Sequence, residues 1–397
     1  MLKKIIQFLY FLFVASVFIG PAISFNIFYP LRIITPVVFL FTSVFYLQSK
    51  QKSKSSLLKT FFWVFTFLYF ILTVLSSIVG YVSLSIIPDF NDLFNFLMVF
   101  ILMSTLLLIY EIDFKRFFEI LLRSVLFMYI VFVVICVIEF ITGFHFSSSI
   151  FHATNINIPT GFFTNPNDLA CVFTLMFIFL LTHYKLKFNI LIIIVTILHL
   201  AIVFYTSSRI SLIVIMLYFA LFKTKKFVSF SFFVVILFFV FKSKLPASFN
   251  QNLNLLEKSL TLSKNDNSKN IRQNLYLHGL HSVKNSFGLG YGVNASSFYY
   301  KSLRGDKGIK NIINPHSYQI ELLINSGVVV LFCYLILNFY IFFLLVKKSK
   351  YEQAFHVIFF NISLFSSSSS LFVWPIYLFL FIYFIWADDK IALIEND

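Results

Sequence analysis

Leu57 to Gly80 reads LLKTFFWVFTFLYFILTVLSSIVG, an apolar run in which Lys59 is the single charge. A helix rising ~1.5 Å per residue needs about 17 to 25 such residues to cross a ~30 Å hydrocarbon core, and this run supplies them. Runs of the same kind recur near 5–24, 31–48, 93–110, 119–141, 168–184, 188–205, 209–222, 227–241, 318–346, 354–371 and 373–387. Together they predict an all-α polytopic membrane protein of about twelve transmembrane helices. The pairs 188–205 with 209–222 and 354–371 with 373–387 turn so tightly that one member of each reads equally as a re-entrant segment, which leaves ten to twelve spans.

Composition excludes a water-soluble globule. The 397 residues are 59% hydrophobic, 20% aromatic and only 12% charged, more apolar surface than a chain of this size can hide from water. The 58 phenylalanines against 11 glycines fit AT-rich coding, so Phe stripes are read as lipid-facing or packing surface. Cys136, Cys171 and Cys333 each lie in an apolar run, which suggests neither a disulfide framework nor a zinc site. Lys3 and Lys4 before Ile5 to Gly20 have the charge pattern of a signal peptide. No small-x-small cleavage site precedes Pro21, so the first run is predicted to be a retained span.

Lys and Arg in short loops set the orientation, because positive charge resists translocation. With the amino terminus in the cytoplasm, eighteen cations fall on the inner side, and Arg32 and Arg209 alone fall in the short outer loops. This predicts that both termini are cytoplasmic. It also divides the chain into spans one to nine (1–241), a large extracytoplasmic loop (242–317), and the last three spans with a short cytoplasmic tail (318–397). The loop carries 11 cations against Glu257, Asp266 and Asp306, a net charge of +8. It reads either as a solvated lysine-rich segment touching anionic headgroups or as a cradle for an anionic substrate. Ile271, Leu275, Leu280 and Val283 recur at helical spacing and predict a short helix on the membrane surface. Asn285 to Asn294, with Gly288, Gly290 and Gly292, predicts a turn, and Lys301 to Asn314 a basic connector.

Several residues have chemistry to offer. His316, at the mouth of the tenth span, can accept a proton from a hydroxyl near neutral pH, and it reads otherwise as an interfacial residue. Glu321 lies one turn later, where it would orient His316 or meet water. Arg209 is flanked by apolar runs, and such a charge faces a polar cavity or a partner unless it snorkels to the interface. Arg272 begins the surface helix, where its fork of donors suits a diphosphate. Asn165 to Asp168 lead into the sixth span, with Asn167 or Asp168 as the natural helix cap. Glu139 is a buried-carboxylate candidate, and Asp89 with Asp92 is a loose acidic pair better suited to turns and caps. The chain has no P-loop, no serine-nucleophile motif and no metal-spaced histidine cluster, so ATP hydrolysis and proteolysis have no support.

In order, GFFTNPNDLA (161–170), TSSRIS (206–211), RQNLYLHGLHSVKNSFGLGYG (272–292) and NPHSYQIELLINSG (314–327) resemble the O-antigen ligase and polysaccharide polymerase superfamily of bacterial membrane proteins. The resemblance covers roughly residues 120 to 390, and the family's usual His-Asn pair is His316-Ser317 here. It implies a GT-C-like glycosyltransferase architecture in the bacterial cytoplasmic membrane. The implied reaction transfers glycan from a polyprenyl-diphosphate donor to an acceptor hydroxyl on the outer face, with no metal and no cofactor. In that scheme Arg209 and Arg272 hold the diphosphate, His316 is the base, and Glu321, Asn165 and Asn167 support them. Expected partners are the lipid-linked donor, a glycan acceptor, membrane lipid, and the flippase and chain-length regulator of the same pathway, with no nucleic acid. The expected function is polymerisation of lipid-linked repeats for a capsular, O-antigen-like or teichuronic-type polymer. The rivals are ligation of finished glycan to another acceptor and transport by a flippase. Transport fits less well, because no internal repeat is visible.

Overall fold

The computed structural model describes residues 2–19, 30–48, 56–146, 158–163, 165–184, 190–206, 208–223, 229, 236, 267–303, 317–366 and 374–388. These form the helices α1 (Leu2–Ile19), α2 (Pro30–Gln48), α3 (Leu57–Leu84), α4 (Phe90–Thr142), α5 (Pro166–His183), α6 (Ile190–Tyr205), α7 (Arg209–Phe222), α8 (Asn267–Asn285), α9 (Ala295–Ser302), α10 (Tyr318–Lys347), α11 (Tyr351–Ser366) and α12 (Pro375–Ala387). No strand occurs among the described residues. Helices α3, α4, α5 and α10 are long and apolar enough to cross a membrane, while α1, α2, α6, α7 and α12 are apolar but shorter. The described residues form an all-helical polytopic membrane protein, and α4, kinked at Asp113, is long enough to hold two crossings. Most of the expected span at 227–241 lies outside the described residues.

Several hydroxyls inside the apolar helices bond back to carbonyls one turn earlier, which satisfies them without help from water. Thr66 donates to Phe62, Thr73 to Tyr69 and Thr105 to Ile101. Helix α12 is apolar all round and every one of its residues is buried, as such a helix must be. It runs through the centre of the bundle, with Phe381 and Phe384 against Phe62, Phe381 against Phe117, Phe379 against Phe18 and Trp386 against Phe179. By contrast, α3 and α10 leave apolar stripes exposed: Ile71, Leu75, Ile78 and Val82 on one, Val329, Phe332, Ile336, Phe339 and Phe343 on the other. Stripes of that extent belong in hydrocarbon.

The helix ends sort onto two faces. On one, Lys59 pairs with Glu111, Lys223 with Glu352 at 2.7 Å, Lys348 donates to the Ala387 carbonyl, and Asp388 accepts from Tyr110 and Ser56. On the other, Arg32 forks onto Asn95 Oδ1 at 3.0 and 2.8 Å, and Asn294 donates to Asp92 at 2.9 Å. Among the described residues, Lys59, Lys223 and Lys348 thus lie on one face and Arg32 on the other.

The element α4 is two helices joined across a kink at Asp113 (φ −150°, ψ 54°), so the runs expected near 93–110 and 119–141 are separate helices that meet at a bend with no intervening loop. Arg116 pairs with Asp113 at 2.6 Å and Lys59 with Glu111, so the polar residues at the bend find partners. The surface helix is longer than predicted, running from Asn267 to Asn285, and α9 is a helix where none was expected.

Candidate functional site

On the face opposite the cation cluster, α10 is built in two parts. Ser317 caps its start, accepting from the Ile320 amide, and the helix then breaks at Gly327 (φ +83°, ψ −179°). A break frees backbone groups that water cannot reach at such a place, so another segment must pair with them. The glycine-rich turn 286–294 does so. Tyr291 and Gly292 donate to the Ile324 and Asn325 carbonyls, and Val328 donates to the Gly288 carbonyl, each at 2.8 Å.

The approach is close enough to require glycine on both sides. Gly290 and Gly292 have φ of +81° and +99°, and a Cβ on Gly290 would lie 2.7 Å from the Gly327 nitrogen. One on Gly292 would fall on the backbone of Ser77 in α3, and one on Gly80 on the Tyr291 carbonyl. Ser76 donates to the Leu289 carbonyl, and Thr73 reaches Ser326 at 2.7 Å. The turn is therefore wedged between α3 and α10. Its central amides are committed to protein carbonyls and, at Gly290 and Val293, to the Ser286 and Ser77 hydroxyls, and not to a phosphate.

Asn325 completes the joint, its side-chain oxygen accepting from the Ser296 amide at 2.8 Å at the start of α9. Helix α9 folds back onto α8: Tyr299 donates to the His278 carbonyl at 2.9 Å and Tyr300 to Leu275 at 2.6 Å. Burial, with the neighbouring Tyr291, pushes the Tyr299 phenol up to about 12, and burial pushes Tyr300 higher still, so both remain neutral donors at physiological pH. Helix α8 packs on α10 through the buried stripe of Leu275, Gly279 and Ser282, which brings Gly279 against Ile320.

The residues singled out in the sequence distribute unevenly over this joint. Arg272 sits half-buried on α8, one turn from Tyr276. Glu321 lies buried in the first turn of α10, in a region shared with Tyr69, Tyr318 and Tyr377, where the Tyr69 and Tyr377 hydroxyls are 3.1 Å apart. Arg209 is the first residue of α7, and its side chain is not among those described; His316 itself lies outside the described residues. The Asn167 expectation needs correction. Asn165 is the cap of α5, accepting from the Asn167 amide at 2.9 Å, and Pro166 occupies the first helical position. Glu139 accepts from the Thr160 and Gly161 amides, both at 2.8 Å, and faces His145 at 3.3 Å, so it pins the turn before α5. Asp92 bonds to Asn294 and Asp89 occupies the N-cap position of α4, which gives both structural positions.

Residues 193–335 match the family model described as O-Antigen ligase. The match supports the O-antigen ligase and polymerase superfamily, whose members are glycosyltransferase-like enzymes acting on lipid-linked glycans. No curated protein matches the chain. The O-antigen ligase match covers less than half of the chain, but it begins in α6 and ends in α10 past the break. It therefore contains Arg209, Arg272, His316 and Glu321 and the α8–α10 part of the joint at Gly327, and it leaves out the α3 side of that joint, Asn165 and Asn167.

Sequence reasoning missed Asn325, Gln319 and Asn361. Gln319 donates to the Asn361 carbonyl at 3.1 Å, and Asn361 joins Tyr334 and Asn338, each at 3.1 Å, in a buried polar chain across α10 and α11. The Asn325-Ser326-Gly327 triplet was the available signal, since Gly inside an apolar helix directly after two small polar residues marks a break.

Proposed function

We propose that the chain polymerises polyprenyl-diphosphate-linked oligosaccharide repeats into a cell-surface polysaccharide, on the outer face of the bacterial cytoplasmic membrane. The observation that carries this reading is the family match over 193–335, which takes in both arginines, the histidine and the joint that holds α8 against α10. In this reading the cation-rich face is cytoplasmic, both termini lie inside, about twelve segments enter the bilayer in a GT-C-like arrangement, and 242–317 is the large outer loop. Flippase and chain-length regulator would act beside it.

The donor's diphosphate is already a good leaving group, so the site needs positive charge on the phosphates more than a strong acid. Arg209 and Arg272 supply it. The acceptor hydroxyl oxygen bonds to the anomeric carbon as the carbon–oxygen bond to the diphosphate breaks, with inversion. His316 takes the hydroxyl proton, and polyprenyl diphosphate departs with the bonding electrons. Glu321 orients the start of α10, and Asn165 with Asn167 shapes the entry to α5. Loss of the base costs ~10²- to 10⁴-fold in rate, and loss of one charge-stabilising donor ~10²- to 10³-fold.

The family description favours a second reading, ligation of finished glycan to another acceptor. One gel separates the two. A deletion strain is complemented with wild type, His316→Ala or Arg209→Ala, membrane levels are checked by blot, and surface glycan and lipid-linked intermediates are resolved. Single lipid-linked repeats accumulating in the mutants support polymerisation, and long unattached lipid-linked chains support ligation. Wild-type polymer from both mutants would remove the proposed site.

A further inference from the structure

The turn that seals α10 ends α8 in an unusual way. Gly288 donates from its amide to the Val283 carbonyl at 2.8 Å and Phe287 to Lys284 at 3.4 Å, the bond pair that closes a helix through a left-handed residue. That residue is Phe287 (φ +52°), at a position that favours glycine, and its side chain is 90% exposed. In water a bulky residue here would be both strained and uselessly exposed.

Its surroundings show which medium it meets. On α8, Leu277 and Leu280 are exposed along the same side of the helix as Phe287, with Lys284 between them, and Leu289 is exposed just beyond. His281 and Asn285 are exposed on a separate, polar side at this end of α8, the exposed Asn270 and Gln273 make the Leu277 side polar nearer the helix start, and the third side is the stripe packed on α10. Gly288 lies beside Val328, directly before the exposed α10 stripe that starts at Val329, and Ser76 holds Leu289 beside the exposed α3 stripe containing Leu75 and Ile78. The apolar tip thus continues two lipid-facing surfaces at their ends.

We infer that Phe287, Leu280 and Leu289 form an anchor inserted into the hydrocarbon of the bilayer leaflet on this face, with Lys284 reaching back to the headgroups. The anchor holds α8 edge-on to the membrane, with its polar side in water, and rests on the membrane reading of the fold, not on the proposed chemistry. Lysine stems lie along apolar surface while the ammonium reaches the interface, which suits the position of Lys284.

The test places a spin label at Phe287→Cys in the full chain, reconstituted in vesicles of phosphatidylethanolamine and phosphatidylglycerol. Cys333→Ala removes the half-buried native thiol, and Cys136 and Cys171 are buried. Leu280→Cys repeats the measurement one face-turn earlier, so the result does not depend on one substitution, and His281→Cys reports the polar side. The expected result is that labels at 287 and 280 are relaxed more by dissolved oxygen than by a water-soluble nickel chelate, and that the ratio inverts at 281. Labels at 287 and 280 as accessible to nickel as the one at 281 would overturn the anchor. So would labels shielded from both reagents, because a second copy or another protein would then cover the tip.

Discussion

Two long helices of this molecule are interrupted, and they are repaired in opposite ways. At Asp113 on the cation-rich face, α4 bends and its polar residues are answered by side chains, Arg116 on Asp113 and Lys59 on Glu111. At Gly327, α10 breaks and is answered by backbone from a different segment, through three hydrogen bonds of 2.8 Å from and to the glycine-rich turn. A bend near water can be served by mobile charges. A break away from water demands a preformed strip of chain, and that strip carries α8, with Arg272, into contact with the start of α10. The α10 break therefore fixes how α8 and the start of α10 meet, and the α4 bend has no such part.

The comparison is most sharply broken by Gly292→Ala. The new Cβ would meet the Ser77 backbone at a φ that alanine resists, which unseats the turn at a cost of about 2 to 4 kcal/mol. Thermal unfolding in detergent should show a large drop in midpoint, and polymer should disappear from the surface-glycan gel. Asn325→Ala comes next: it leaves the buried Ser296 amide without its acceptor, a loss of ~1 to 3 kcal/mol, visible in the same melt. Arg116→Ala should do least. Its pair with Asp113 is partly exposed and contributes at most ~1 kcal/mol, so polymer level and melting midpoint should stay near wild type. An Arg116→Ala effect as large as that of Gly292→Ala would mean that the two interruptions are not different in kind.

Much of this was legible in the chain. Apolar runs predicted α2, α3, α6, α7 and α10 within a few residues, because their periods and lengths are local properties. Gly288, Gly290 and Gly292 marked their turn for the same reason, each taking a positive φ. What the turn docks against was not legible, since Gly80, Ser77 and Asn325 are distant in sequence and acquire their role only when α3 and α10 meet. The division of α4 was legible as well: Glu111, Asp113, Lys115 and Arg116 lower hydropathy between two apolar runs, and the kink falls there, whereas the ion pairs that serve it depend on packing. Pro166 did signal that the cap of α5 lies at Asn165, one residue before it, and the Asn167 reading overlooked that signal. For the candidate site, Arg272 and Glu321 fall on the two helices that the joint brings together, whereas the Asn325 contact and the Gln319–Asn361 chain depend on packing alone.

The buried position of α12 bears on how the protein is made. Of the described helices it is the last to leave the ribosome, yet α1, α3, α4, α10 and α11 pack around it and Phe179 of α5 stacks on its Trp386. Until residue 387 has been synthesised, its neighbours enclose a space that lipid or translocation machinery must fill, so the earlier helices wait as a loose assembly and close together in one late step.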